Sequence, residues 1–360
     1  MTELDSLLQV LDRRGVDRAI LADPWTAHLV ASGQRLLSQR QVPGLELVAE
    51  ETPDGIVVSI RANRRVHLTH PLHLYFGVLP AMGCQHIQMT LVLEEGAVVD
   101  VVAHCFFPNA EQVEHAMDAR IEIGDGARLT YTEAHYHGPH GGVTVTPKTT
   151  VKVGKHALYR SDFSLTTGRV GKLDIDYEVE ADEEAEVELT ARVFGHATDA
   201  IRIRERLVLA GRAARGLIKT RIAVEDDATA EIIGITEGHA EGACGHIDCM
   251  EIIKDRAVAS AEPVVRVAHP LARVTHEAAI GSVDHHQMET LMAHGLSPEQ
   301  AVGLIVDGLL GQREEESIVR FMPRPNNETP VGLRDIYCSL TTVGAGGTAM
   351  RSFNQPEAVT

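Results

Sequence analysis

From about Leu45 the apolar positions alternate with polar ones, as in Ile56-Val57-Val58-Ser59-Ile60, Ile87-Gln88-Met89-Thr90-Leu91-Val92-Leu93 and Ala119-Arg120-Ile121-Glu122-Ile123. A period of two marks a strand with one buried face, so strands are predicted from there to roughly residue 275. Upstream the period is helical. Leu4, Leu7, Leu8 and Leu11 fall on one helical stripe, and Gly15 is a plausible stop. A second helix is predicted with Asp23 as N-cap and Pro24 at its first position, burying Trp25, Leu29 and Leu36 before Pro43-Gly44 ends it.

The strands repeat. Glu95-Gly96-Ala97, Asp125-Gly126-Ala127, Lys155-His156-Ala157, Glu183-Glu184-Ala185 and Gly211-Arg212-Ala213 line up as turns whose alanines are 30, 30, 28 and 28 residues apart. Asp227-Ala228 and Arg256-Ala257 continue the theme less regularly. A fixed period of this length suggests stacked units that cover one another's apolar faces. A β-helix or related solenoid fits strand territory without intervening helices, with a large β-sandwich as the alternative. A solenoid leaves sheet edges open at both ends, and the flanking helices are suited to cover them.

Toward the C-terminus the period becomes helical again. Met288, Leu291 and Met292 share one face of a helix that stops at Gly295, and Ser297-Pro298-Glu299-Gln300 reads as a capping box with proline at the first helical position. Val302, Ile305, Val306, Leu309 and Leu310 form the stripe of a second helix. The expected organisation is a helical segment over 1–44, a strand-built core over 45–279, a helical hairpin over 280–322 and an irregular tail over 323–360.

Charge narrows the partners. A formal net charge of −18 repels phosphate backbones and disfavours nucleic acid and anionic membrane surfaces. The N-terminus lacks the basic start of a signal peptide, and no apolar run could cross a bilayer, so a cytoplasmic protein is expected. Five cysteines, Cys84, Cys105, Cys244, Cys249 and Cys338, suit free or metal-bound thiols better than a disulfide framework.

Chemistry concentrates between Gly242 and Leu310. Cys244, His246 and Cys249 are spaced closely enough for one segment to present sulfur and imidazole to the same ion, although buried cysteines often only pack. His276 and Glu277 are adjacent, and at a strand-to-helix junction both can reach one cavity; the ordinary alternative is a solvated helix start. His135-Tyr136-His137 places two imidazoles on one strand face, with His140 nearby among glycines that suggest an exposed loop. Cys105, before Phe106-Phe107-Pro108, reads as a buried thiol. No Gly-x-x-x-x-Gly-Lys-Ser/Thr occurs, so any ATP hydrolysis belongs to a partner.

Several of these segments resemble the core of the SufB/SufD proteins of iron–sulfur cluster assembly. The resemblance is carried by Glu95-Gly96-Ala97, Gly245-His246-Ile247-Asp248-Cys249-Met250-Glu251, Pro270 to Ala278 and Leu291 to Ala301, and it runs from about Gly55 to Leu310. It implies a right-handed parallel β-helix flanked by helices, working with an ABC-type ATPase called SufC. It also implies a cluster site in which His276 and Glu277 match a His-Glu pair and Cys249 lies near the family's cysteine; Cys244 and His246 are further candidate metal ligands from their spacing alone. Cys105 is similar in context to a sulfur-accepting cysteine.

The chain is shorter than bacterial SufB and resembles a minimal SufB-type protein. Glu277 leans the comparison toward SufB, because SufD-type partners tend to lose that carboxylate. The implied function is a non-enzymatic scaffold that assembles a transient iron–sulfur cluster and transfers it to apo-proteins. Its expected partners are the ATPase, a second copy or a SufB/SufD-type paralogue, and a cysteine desulfurase system as sulfur donor. Met288, Leu291, Met292, Val302, Ile305, Val306 and Leu309 are expected to form the ATPase dock. The alternatives are a SufD-like architectural subunit without its own cluster, and a metal-dependent β-helix or cupin-like enzyme using His135, His137 and His140.

Overall fold

The computed structural model describes Leu7 and residues 19–311. Within them the strands are β1 (His28–Ser32), β2 (Arg35–Arg40), β3 (Leu45–Glu51), β4 (Gly55–Ala62), β5 (Leu72–Gly77) and β6 (Met82–Leu93). They continue as β7 (Val98–Phe107), β8 (Gln112–Ile123), β9 (Arg128–His137), β10 (Val143–Val153), β11 (Leu158–Thr167), β12 (Lys172–Ala181) and β13 (Glu186–Gly195). The last are β14 (Ala200–Leu209), β15 (Arg215–Val224), β16 (Thr229–Gly238), β17 (Cys244–Ile253), β18 (Val258–Val267) and β19 (Arg273–Ser282). A short helix α1 (Ala19–Ala22) precedes them, and α2 (His285–Ala293) and α3 (Pro298–Leu310) follow.

The fold is a β-solenoid of about eight turns. From β5 onward, odd-numbered strands stack in parallel in one sheet and even-numbered strands from β4 stack in the other, so each coil contributes one strand to each sheet. Inward positions of both sheets fill a continuous lumen with Val, Ile, Leu and Ala, while outward positions carry charge. Arginines bridge acids on neighbouring coils, as Arg192 does to Asp162 at 2.7 Å. The alternation read from the sequence is this in–out division.

The alanine repeat marks one column of turns. Ala97, Ala127, Ala157, Ala185, Ala214 and Ala243 are all almost fully buried where the chain passes from the even to the odd sheet. Each follows a residue with φ between 52° and 71°: Gly96, Gly126, His156, Glu184, Ala213 and Gly242. Ala214 thus takes the place that sequence alignment assigned to Ala213. Ala228 and Ala257 belong to the opposite column, between β15 and β16 and between β17 and β18.

At the N-terminal end the second predicted helix is absent. Asp23 caps a turn, its carboxylate accepting from Trp25 N at 3.1 Å and Thr26 Oγ1 at 2.6 Å. The chain then forms the antiparallel hairpin β1–β2 through Gly33, at φ 55°. Trp25 is 69% exposed, whereas Leu29 joins the core from β1. The Gly33-Gln34 turn and the β-branched Val30 override the cap-and-proline signal. With a second hairpin, β3–β4, strands close this end where helices were expected. The first predicted helix, apart from Leu7, and the 323–360 tail lie outside the described residues.

Among the described residues the other end is open. Beyond β18 and β19 no strand follows among the described residues, and the inward-facing Val265, Val267 and Ile280 are 37%, 52% and 44% exposed. The predicted capping box is present: Ser297 Oγ accepts from Gln300 N, and Gln300 returns a bond to Ser297 N. Helix α3 lays Val306 and Leu310 onto Ala223, with Phe194 and Val302 beside them. Val302 and Val306 therefore face the solenoid and not a partner, a correction to the predicted dock. Met292 is exposed, and Met288, Leu291, Ile305 and Leu309 are half-buried.

Candidate functional site

Strand β17 sends Gly245, Ile247, Cys249 and Glu251 inward and Cys244, His246, Asp248 and Met250 outward. The parallel register sets His276 beside Ile247, Glu277 beside Asp248 and Ala278 beside Cys249. His276 therefore shares the inner face with Cys249, on a diagonal of about 8 Å set by strand spacing and rise. Glu277 lies on the outer face with Asp248. The expected strand-to-helix junction is displaced downstream, since β19 runs to Ser282 before α2 begins. The five residues predicted as one site are split by the sheet into an inner pair, Cys249 and His276, and an outer group, Cys244, His246 and Glu277, and Cys244 is disulfide-bonded, which corrects the expectation of a free or metal-bound thiol there.

The inner pair stands at the open end. His276 is exposed on the last strand, and Cys249, one strand in, is 2% exposed. Burial, and then the charge of Glu251, push the Cys249 thiol up to about 12. Glu251 is itself buried, and neither carboxylate oxygen has a hydrogen-bond partner among the described residues. Burial raises it to about 7, and likewise raises Glu205 on β14 to about 8. Alternation along β17 was the available signal for Glu251, two residues from Cys249, but sequence reading passed over it.

On the outer face His246 Nδ1 lies 2.8 Å from Thr275 Oγ1. Asp248 accepts from Arg221, whose guanidinium also donates to the Asp248 carbonyl at 3.0 Å. An arginine already neutralises this carboxylate.

A second constellation lies deep in the lumen. Cys105 on β7 and Glu133, His135 and His137 on β9 all point inward and are almost fully buried. Among the described residues, Cys105, Glu133 and His135 form the one group of three potential metal ligands whose donor atoms all lie within 4.8 Å of one another. Cys105 Sγ is 3.9 Å from Glu133 Oε1, which is 2.7 Å from His135 Nε2. His135 Nδ1 is 3.4 Å from His137 Nε2, and His137 Nδ1 is 2.9 Å from the Arg169 carbonyl. Burial lowers both imidazoles to about 3, raises Glu133 to about 7 and pushes the Cys105 thiol well up.

The hydrogen-bond network assigns the tautomers. A carbonyl only accepts, so His137 carries its proton on Nδ1 and accepts at Nε2. His135 then donates from Nδ1, which leaves a lone pair on Nε2 facing Glu133. His140, in the turn after β9, is exposed and takes no part in this cluster, so the three-histidine grouping is not assembled. Glu133 went unnoticed in the sequence although Glu133, His135 and His137 follow a period of two. Cys105 is buried, as its apolar setting predicted.

The family model described as SUF system FeS cluster assembly, SufBD core domain, matches residues 79–309. An iron–sulfur cluster assembly SufBD family protein of Methanocaldococcus jannaschii is 36% identical over 283 residues, 79% of this chain and 90% of the relative. The chain belongs to the SufBD family. A SufBD family protein of Pyrococcus horikoshii is 31% identical over 310 residues, 86% of this chain and 94% of the relative. Another from the same organism is 26% identical over 275 residues, 74% of this chain and 59% of that longer protein. The SufBD match spans both constellations and nearly all of the helical hairpin, which places each candidate residue within the family core. No described helix is long and apolar enough to cross a membrane.

Proposed function

We propose that this SufBD protein is a scaffold on which a transient iron–sulfur cluster is assembled at the open end of the solenoid, between two copies of the chain. The carrying observation is the open end itself: Cys249 and His276 share an inner face beside exposed Val265, Val267 and Ile280. Exposed strand edges and apolar inner positions favour association with a like surface. Pro263 interrupts the donor row on β18, so the β19 edge is the better pairing edge.

In this reading each copy supplies Cys249, His276 and the carboxylate of Glu251. One thiolate mixed with an imidazole and a carboxylate holds iron less firmly than four thiolates, which suits a cluster that must be given away. Thiol deprotonation at the buried Cys249 needs an acceptor, and Glu251 on the same strand face provides one. Glu277, on the outer face, stands outside this set.

The ATPase that supplies work is a SufC-like partner docking on Met288, Leu291, Met292, Ile305 and Leu309 of the hairpin. ATP-driven closure of two docked ATPases would move the two open ends relative to each other. The test is anaerobic reconstitution with iron and sulfide, read by visible charge-transfer absorption, in wild type and Cys249→Ala. The reading requires a cluster in the first and its loss in the second, with the ATPase still bound in both.

A second reading is a SufD-like architectural subunit with no cluster of its own. It is favoured by the separation of Cys249 and Glu277 onto opposite faces and by the depth of the Cys249 thiol. Wild-type protein that takes up no cluster, alone or with the ATPase, would select it.

A further inference from the structure

We infer that the lumenal triad of Cys105, Glu133 and His135 is a binding site for one divalent transition-metal ion of borderline softness, such as Zn2+ or Fe2+, separate from the open-end site. The geometry comes first. Three donors of the types that such ions take, a sulfur, a carboxylate oxygen and an imidazole nitrogen, converge from two adjacent strands with pair distances of 3.9 Å and 2.7 Å. A tetrahedral ion with ordinary bond lengths needs about 3.5 Å between sulfur and oxygen and about 3.3 Å between oxygen and nitrogen. Shifts of about half an ångström reach both values.

The orientation of His135 is the second observation. Its Nε2 lone pair faces Glu133 because the Arg169 carbonyl fixes His137, and His137 fixes His135. Metal-bound histidines characteristically donate their other N–H to such an outer partner, which holds the ring in place. The network thus leaves the Nε2 lone pair of His135 directed at the Glu133 carboxyl, 2.7 Å away. Two polar atoms close by, Tyr131 Oη and His115 Nδ1, are buried with no hydrogen-bond partner among the described residues, and the His115 ring is 5.9 Å from that of His135.

Charge balance is the third. A divalent ion forms one bond each to the Cys105 sulfur, a Glu133 oxygen and His135 Nε2, and any proton on the thiol or the carboxyl leaves to solvent. The result is a thiolate, a carboxylate, a neutral imidazole and a dication, with no net charge. A neutral assembly is the form that a buried interior flanked by Phe107 and Phe163 accepts at least cost. No change of oxidation state is involved.

The test uses the full-length protein, incubated anaerobically with Co2+ as a spectroscopic stand-in. One equivalent is expected to give a thiolate-to-cobalt charge-transfer band and tetrahedral ligand-field bands. Cys105→Ser should remove the charge-transfer band, Glu133→Gln should weaken binding at least tenfold, and Cys84→Ala, at a free thiol outside both sites, should leave the spectrum unchanged. Because a lumen variant can fail to fold, crystals of the wild-type protein soaked in Co2+ provide the second arm, with an anomalous peak expected among the three donor atoms. A Co2+ spectrum that Cys249→Ala removes and Cys105→Ser leaves intact would overturn the assignment, as would an anomalous map without a peak at the triad. The Cys249 arm also separates failure here from failure of the open-end scaffold.

Discussion

Asp248 and Glu277 are register partners on the outer face of β17 and β19, and this pairing keeps Glu277 away from Cys249 although the two are close in sequence pattern. The consequence is a ranking that differs from one drawn from adjacency. His276→Ala should lower reconstituted cluster content severalfold, whereas Glu277→Gln should change it little. The ratio of bound iron to protein after desalting measures both. Equal losses would place Glu277 among the ligands.

Much of the fold was legible because a solenoid writes its geometry into the chain. Each coil repeats the same in–out alternation, and each even-to-odd turn needs a small buried residue after a left-handed one, so Ala97, Ala127 and Ala157 recur in step. Ser297 and Gln300 were equally readable, since a capping box is a local contract between two side chains. The faces of the site were harder. Whether His276 or Glu277 joins Cys249 depends on the register of β19 against β17, and nothing local sets it. Asp23-Pro24 misled for a related reason: an aspartate that caps a helix also caps a turn, and Gly33 downstream decides between them.

Thiol reactivity should follow burial. Cys84 is partly exposed on β6, whereas Cys105 and Cys249 are buried with their thiols pushed up. Alkylation under native conditions, mapped by peptide mass spectrometry, should label Cys84 well before the other two. All three should react alike in denaturant. Rapid native labelling of Cys249 would mean that the open end already admits solvent to the lumen.

Buried carboxyls make stability pH-dependent with a defined sign. Glu205 is raised from the ordinary 4.5 to about 8, so between those values the folded state keeps a proton that the unfolded chain has lost. Its contribution is fully present below about 4.5 and is lost as pH rises through about 8, with a slope of at most about 1.4 kcal/mol per pH unit. Glu205→Gln should therefore gain melting temperature relative to wild type as pH is raised from 5 to 9. A difference that stays constant with pH would contradict the raised value.

The docked face of α3 and the outer surface of the hairpin, Met292 on α2 and Leu309 on α3, should behave differently. Leu310→Ala removes a fully buried side chain and should cost about 2–5 kcal/mol, expressed locally as faster amide exchange in α3. Met292→Asp should leave exchange unchanged and abolish co-purification with the ATPase. Loss of the ATPase on neither Met292→Asp nor Leu309→Asp would move the dock elsewhere.

The open end as a pairing surface is tested by Ile280→Lys combined with Val267→Lys. Wild type should sediment as a dimer and the double variant as a monomer with unchanged circular dichroism. A monomeric wild type would remove the shared site.

The most direct test of the account is the cluster itself. Purified protein, reconstituted anaerobically with ferrous iron and sulfide, should show charge-transfer absorption with one cluster per two chains, and Cys249→Ala should show none while still dimerising. Undiminished absorption in Cys249→Ala would contradict it.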